Sequence, residues 1–162
     1  MKLIIADIEN IPFEVHGEYK MIRPQEKIHN CIGCFGCWVK TPGICVIHDG
    51  YETTGSDMGK CSELIVVSRC DYGSYSPFVK TVMDRGISYI HPDFVIRKGE
   101  MHHKRRYKNV IALSAYFYGE NITEREKWTA GKLLKANADN YDGKVKEIKF
   151  FESIEELEGI RV

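Results

Sequence analysis

The sequence carries no net charge, because its 23 basic and 23 acidic residues cancel. It therefore lacks the long-range field with which proteins gather nucleic acid or an anionic membrane, and neither is expected as a partner. The one dense basic run, His102-His103-Lys104-Arg105-Arg106, reads as a solvated loop. Long apolar runs are also missing. Leu3 to Ala6 is closed by Asp7 after four residues, too short for a signal peptide or a membrane span. No low-complexity tract, internal repeat or linker-like stretch divides the chain, so residues 1–162 read as one domain. Serine and threonine are absent before Thr41. With no targeting segment in view, the expected compartment is the cytoplasm. There the six cysteines stay reduced, and clustered thiols hold metal or do redox chemistry more often than they form disulfides.

What is present is ample apolar material, 43% of residues, arranged in short blocks. Leu3 to Ala6, Leu64 to Val67 and Val110 to Leu113 have the composition of strands buried on both faces. Val145 to Phe151 alternates and reads as a later, more exposed strand. Between these blocks lie helical signals. Ser76-Pro77 is an N-cap followed by a proline at the first helical position, and Phe78, Val79, Val82 and Met83 recur behind it at helical spacing. Thr123-Glu124-Arg125-Glu126 is a capping box for a helix running to about Asn137. Thr53 to Lys60 is a third helical stretch, weakened by Gly55 and Gly59, and Ile154 to Leu157 a final turn. Strand, helix, strand, helix, strand implies βαβ crossovers, a mostly parallel sheet and the α/β class.

Two segments carry chemistry. The first is Cys31-Ile-Gly-Cys34-Phe-Gly-Cys37, followed by Thr41-Pro42-Gly43 and Cys45. Three cysteines at two-residue gaps cannot all lie on one side of a strand, but a loop wound tightly through Gly33 and Gly36 can aim them at one centre. The Thr-Pro-Gly turn would return Cys45 as a fourth thiolate. Four thiolates in one compact run suit a [4Fe-4S] cluster; structural zinc more often takes two separated ligand pairs. Spacing alone leaves zinc, and free thiols that merely pack a loop, as alternatives. Cys61 and Cys70 stand outside the group.

The second segment is Ser68-Arg69-Cys70-Asp71-Tyr72-Gly73-Ser74-Tyr75-Ser76-Pro77, which leaves the strand at Val67 and enters a helix. Ligands of open α/β sheets bind at the carboxyl ends of strands. Tyrosine faces can stack on a flat cofactor while Ser and backbone N–H groups fix its polar edge. An ordinary strand-to-helix connection has the same composition.

Taken together, Cys-x-Gly-Cys-Phe-x-Cys-Trp-x-Lys-Thr-Pro-Gly-x-Cys ending at Asp49, with Gly73 to Lys80 and Met83-Asp84-Arg85, resembles the NAD(P)H-dependent FMN reductases of flavodoxin-like fold. The likeness is to the branch that includes the iron–sulfur flavoproteins, and covers roughly residues 20–150. Gly99-Glu100-Met101-His102-His103 is also similar to some members. The resemblance implies a flavodoxin-like three-layer sandwich, FMN, a homodimer or homotetramer, and electron transfer from a nicotinamide to an acceptor. It implies that Asp71, Tyr72, Gly73, Ser74, Tyr75 and Ser76 lie against the flavin ring, with Tyr116 to Gly119 as the other wall. It further implies that Cys31, Cys34, Cys37 and Cys45 hold the cluster.

The sequence departs from that family near its start. Family members follow the first strand with a hydroxyl-rich phosphate loop and a full helix. Here Asp7 to Gly17 offers carboxylates, no hydroxyl and Pro12, so the first βα unit reads as truncated. A strand at Glu18 to Ile22 then pairs by a tight non-helical crossing or as an antiparallel hairpin, the latter being preferred. Arg69 puts a cation where the family has an apolar residue; an acidic neighbour is the expected partner. His102 and His103, adjacent and pointing apart, suit a solvated loop better than a grip on a nicotinamide phosphate with Arg105 and Arg106. Two functions remain in view. One is an FMN-dependent oxidoreductase or electron carrier with a [4Fe-4S] cluster. The other is a non-catalytic partner subunit, for instance of a paralogous flavoprotein, that has lost phosphate binding.

Overall fold

A computed structural model describes all 162 residues. The strands β1 (Lys2–Ala6), β2 (Tyr19–Ile22), β3 (Glu63–Arg69), β6 (Ala112–Tyr118) and β7 (Lys144–Phe151) form one sheet in the order β2-β1-β3-β6-β7. Every neighbouring pair in it is parallel. Counting only the strands of this sheet, the order is second, first, third, fourth, fifth, the doubly wound order of flavodoxin-like folds. A separate antiparallel pair, β4 (Ile90–Arg97) and β5 (Glu100–Arg105), projects from the chain between β3 and β6.

The alternation of side chains divides the core into two layers. Leu3, Ile5, Leu64, Val66, Leu113, Ala115 and Phe117 face one way, in a cluster of 22 buried residues. They pack on α2 (Thr54–Lys60), α3 (Pro77–Arg85) and α4 (Glu124–Asn140), through Met58, Val79, Val82, Ala130, Leu134 and Ala138. Ile4, Ala6, Ile65, Val67 and Tyr116 face the other way, in a cluster of eight. No α-helix covers that second face. Phe13, with Ile8, Ile11 and Val15, lies over it, beside Leu157 of a 3-10 turn at Glu155–Gly159 and Ile160 just after it. The two covering segments are tied together where His16 N–H donates to the Val162 carbonyl at 2.7 Å. The third layer of the sandwich is thus mostly coil.

The missing first helix is as the sequence implies, but the direction of β2 is not. It runs parallel to β1, with Lys2 opposite Tyr19 and Ile5 opposite Ile22, rather than antiparallel. Residues 7–18 are non-helical, mostly bends, and are long enough to reach back along a five-residue strand. Burying Phe13 and Ile11 on the sheet face fixes that return path, which a hairpin would leave uncovered. The capping box at Thr123 is formed on both sides, and α4 continues past Asn137 to Asn140. The strand placed at Val110 to Leu113 starts at Ala112 and runs to Tyr118, because buried Ser114 continues the sheet into Ala115, Tyr116 and Phe117.

The basic run at 102–106 is not a solvated loop. His102 to Arg105 lie in β5, which turns back from β4 through Lys98 and Gly99. Both turn residues are left-handed (φ 51° and 82°), the two-residue connection that matches strand twist. Arg97 anchors the hairpin on α4, donating to the Asp139 carbonyl at 2.7 Å.

Candidate functional site

The loop after β2 winds as its glycines require. Gly33 takes φ +64°, Phe35 is left-handed, and a single helical turn, α1 (Gly36–Val39), follows. A Cβ on Gly36 would stand 2.7 Å from Val46, so only glycine lets the two arms of the loop close. Gly43, at φ +92°, donates to the Cys37 carbonyl at 3.0 Å, and Thr41 Oγ1 donates to the Ile44 carbonyl at 2.7 Å. That is the expected turn, and it returns Cys45 alongside Cys37. Trp38 pins α1 to the base of the hairpin by donating Nε1–H to the Ile90 carbonyl at 3.0 Å. Its ring also packs on Phe35 and on His103.

Cys31, Cys34, Cys37 and Cys45 all line one cavity of about 630 Å³. Cys37 and Cys45 are buried, and Cys31 and Cys34 reach solvent. Burial pushes the Cys37 thiol up, and the nearby thiols of Cys45, Cys31 and Cys34 push it further. As folded, no three cysteine, histidine or acidic side chains close on a common point as they would around a single ion. Cys61 and Cys70 do not line the cavity. Cys61 is spent on the core, donating to the Met58 carbonyl, and burial raises its thiol to about 12.

Sequence reasoning quoted Arg85 and Asp49 only within the family-like motif and gave no role to the arginine that organises this loop. Arg85, 1% exposed, ends α3 beneath it. Its Nη atoms make a bidentate pair with Asp49 at 2.8 and 3.0 Å and donate to the carbonyls of His29 and Ile47 at 2.9 and 3.0 Å. One guanidinium thereby ties both ends of the cysteine loop to α3. Asp49 also accepts from the His29 and Tyr51 amides. Its own burial opposes ionisation, yet Arg85 and these amides hold the carboxyl down at about 2. The Arg85 Nε–H is buried without a partner, and the neighbouring Cys45 sulfur is one of the groups that favour its charge. A signal was available: Arg85 lies three residues after Val82 on the apolar stripe of its helix, where a cation needs a buried anion.

The carboxyl ends of the strands are built differently. The Asp7 carboxylate accepts from the Arg69 amide at 2.9 Å and from the Tyr118 hydroxyl at 3.0 Å. Arg69 pairs with Asp71 in a bidentate fork at 2.7 and 3.0 Å, the acidic partner expected for it. Asp71 to Ser74 closes on itself as a tight turn with Tyr72 and Gly73 left-handed, leaving Tyr72 at its tip 92% exposed. Tyr75 is buried, stacked on Phe117 at 5.6 Å. Ser76 is buried too, its amide donating to Ser68 Oγ at 2.8 Å. Tyr116 is buried on the opposite face of the sheet against Phe13 and Phe151, its hydroxyl donating to Glu147. Gly119 lies beyond the strand, at φ 154°. Tyr75 and Tyr116 therefore do not face a common cleft as the two walls of a ring site would. The four cysteines line one cavity; Asp71 to Ser74 share one tight turn, while Tyr75 and Tyr116 turn to opposite faces of the sheet.

The solved structure of Trp repressor binding protein from Bacillus subtilis superposes on this chain with a TM-score of 0.56 and 12% identity, over 94% of this chain and 87% of that one. At that identity the likeness establishes the fold alone. No family model and no curated protein matches the chain. No helix is long and apolar enough to cross a membrane.

Proposed function

We propose that the chain is an electron-transfer protein whose redox centre is a [4Fe-4S] cluster on Cys31, Cys34, Cys37 and Cys45. The observation that carries this is their convergence: four of six cysteines, from two arms of one loop, line the same cavity. The donor set is all thiol, the chemistry that iron–sulfur clusters take. A cubane offers each thiolate its own iron, so the four sulfurs need not meet at one point, which agrees with their spread around the cavity. When bound, the cluster supplies one-electron chemistry.

The chain's own residues supply the rest. Arg85 holds both arms of the loop, and its guanidinium, near Cys45, sets a fixed positive charge on that side of the cavity. Trp38 and Tyr141 add aromatic wall to the cavity. Ile32 and Phe35, 72% and 60% exposed, present an apolar collar around Cys31 and Cys34 where a redox partner could approach.

FMN does not fit at the carboxyl ends of the strands. Asp7 would face its phosphate, no hydroxyl loop or first helix offers N–H groups, and Arg69 is already neutralised by Asp71. No step is therefore assigned to a flavin. A second reading, a partner subunit for a flavin-bearing chain, is favoured by one feature: the hairpin shows Phe94, Ile96 and Met101 to solvent on one face.

Iron and acid-labile sulfide analysis of protein purified without air tests the proposal. About four of each per chain are expected, the stoichiometry of a cubane. Cys37→Ser should lose both, and Cys61→Ser should keep them. Near-zero iron in the unmodified protein, or equal loss in the two variants, would contradict the assignment.

A further inference from the structure

The cysteine loop lines only part of its cavity. The geometry points to a second site in the remainder, between α3 and α4, for a small, uncharged, ring-containing molecule that carries a hydrogen-bond acceptor such as a carbonyl oxygen.

Size is the first argument. The whole cavity, the part beside the cysteines included, measures about 630 Å³, within the range of small-molecule sites. Lining is the second. Away from the cysteines the walls are Tyr75, Met83, Ile87, Leu133 and Tyr141, a surface of rings and aliphatic carbon that favours an apolar body.

The third argument is an unmade hydrogen bond. Tyr75 is 4% exposed, and its ring is held in place by the stack on Phe117. Its hydroxyl is buried with no partner in the protein. Burial, and then the neighbouring Tyr141 hydroxyl, raise its pKa, so it stays a neutral O–H donor. A buried donor without an acceptor is the exception in folded proteins, and a ligand oxygen is one way to complete it. Asn140, also in the lining, makes no side-chain hydrogen bond and is free to add a second contact.

Charge settles the class. The two cations of the lining are already matched, Arg85 by Asp49 and Lys80 by Asp84. His103 packs at a tilt against Trp38 and Phe94, with its Nδ1 on the His91 carbonyl at 2.8 Å. The site thus offers no surplus positive charge to a phosphate or nucleotide, and a neutral ligand is selected.

This inference does not depend on the cluster, so it is tested on protein freed of metal as well as on protein as purified. The probes are 2-acetylnaphthalene and its hydrocarbon isostere 2-isopropenylnaphthalene, identical in shape except for the acceptor oxygen. The ketone is expected to bind about tenfold more tightly than the hydrocarbon. Tyr75→Phe, which removes one oxygen from a packed ring, should reduce that preference to about twofold or less. Leu133→Trp should fill the space and exclude both probes. Should that variant not fold, amide chemical-shift changes on adding the ketone to the unmodified protein give the location, expected at Leu133, Asn137 and Asn140. The proposal is overturned if neither probe binds below about 1 mM. A ketone preference that survives Tyr75→Phe, or shift changes mapping away from α3 and α4, would also overturn it.

Discussion

Two loops of this protein have the composition of cofactor sites, and folding treats them in opposite ways. At the strand ends, Asp7, Arg69, Asp71 and Tyr118 satisfy one another, and Tyr75 and Tyr116 turn into separate cores. Around the cysteines, the loop is braced from below by Arg85 and Asp49 and left open above, with four thiols, the Arg85 Nε–H and the Tyr75 hydroxyl uncommitted. Composition alone does not separate a site from a self-satisfied turn. What separates them is whether polar groups remain unpaired beside a cavity. Two strand-end residues keep unpartnered hydroxyls: Tyr75 belongs to the lining of the cysteine cavity, and Ser76 does not.

The comparison is broken most severely by removing the brace. Asp49→Asn leaves the Arg85 guanidinium buried without its counter-ion, at a cost of about 3–5 kcal/mol in urea unfolding. A loss below about 1 kcal/mol would mean that the loop is held elsewhere. Replacing both partners, as Asp49→Leu with Arg85→Met, should cost less than the single change, because no charge is then stranded.

Acid sharpens the same point. Asp49 is held at about 2, below the ordinary carboxylate value of about 4, so its contribution is complete above pH 4. It is lost as pH falls from about 4 through about 2, where the folded protein must take up the proton that the unfolded chain already holds. The shift corresponds to about 2 kcal/mol, and the Asp49→Leu/Arg85→Met protein should lack that part of the pH dependence. Identical acid profiles for the two proteins would contradict the account.

At the strand ends single changes should matter less. Tyr118→Phe removes one hydrogen bond to a carboxylate that keeps the Arg69 amide, and is expected to cost about 1 kcal/mol. The smallest effect should come from the flavin phosphate. Titrated by fluorescence quenching, FMN and riboflavin should bind with affinities within about threefold of each other, since nothing here grips the dianion. A hundredfold advantage for FMN would reveal a phosphate site at the strand ends or elsewhere.

The sequence made some of this legible. β-branched blocks and the capping box at Thr123 located the parallel sheet and α4, because burial on both faces and reciprocal capping leave local signatures. The cysteine spacing and the Thr-Pro-Gly turn likewise foretold a compact loop. The direction of β2 was not legible. It depends on Phe13 and Ile11 covering a sheet face whose other cover comes from residues 154–162, a contact between chain ends. The hairpin β4–β5 was hidden by its charge: Phe94 and Ile96 alternate across from Met101 and His103, but the basic residues between them suggested a loop. Tyr75 and Tyr116 misled because residue type does not tell which way a strand-end ring turns. Tyr75 found Phe117 and Tyr116 found Phe13, both partners distant in sequence.

The central claim is that the redox centre lies in the cysteine loop and not at the strand ends. The visible absorption spectrum of protein purified without air tests it most directly. The account predicts a broad, featureless iron–sulfur band that bleaches on reduction, with none of the resolved bands of a flavin. A flavin spectrum without the broad band, or a colourless protein, would contradict it.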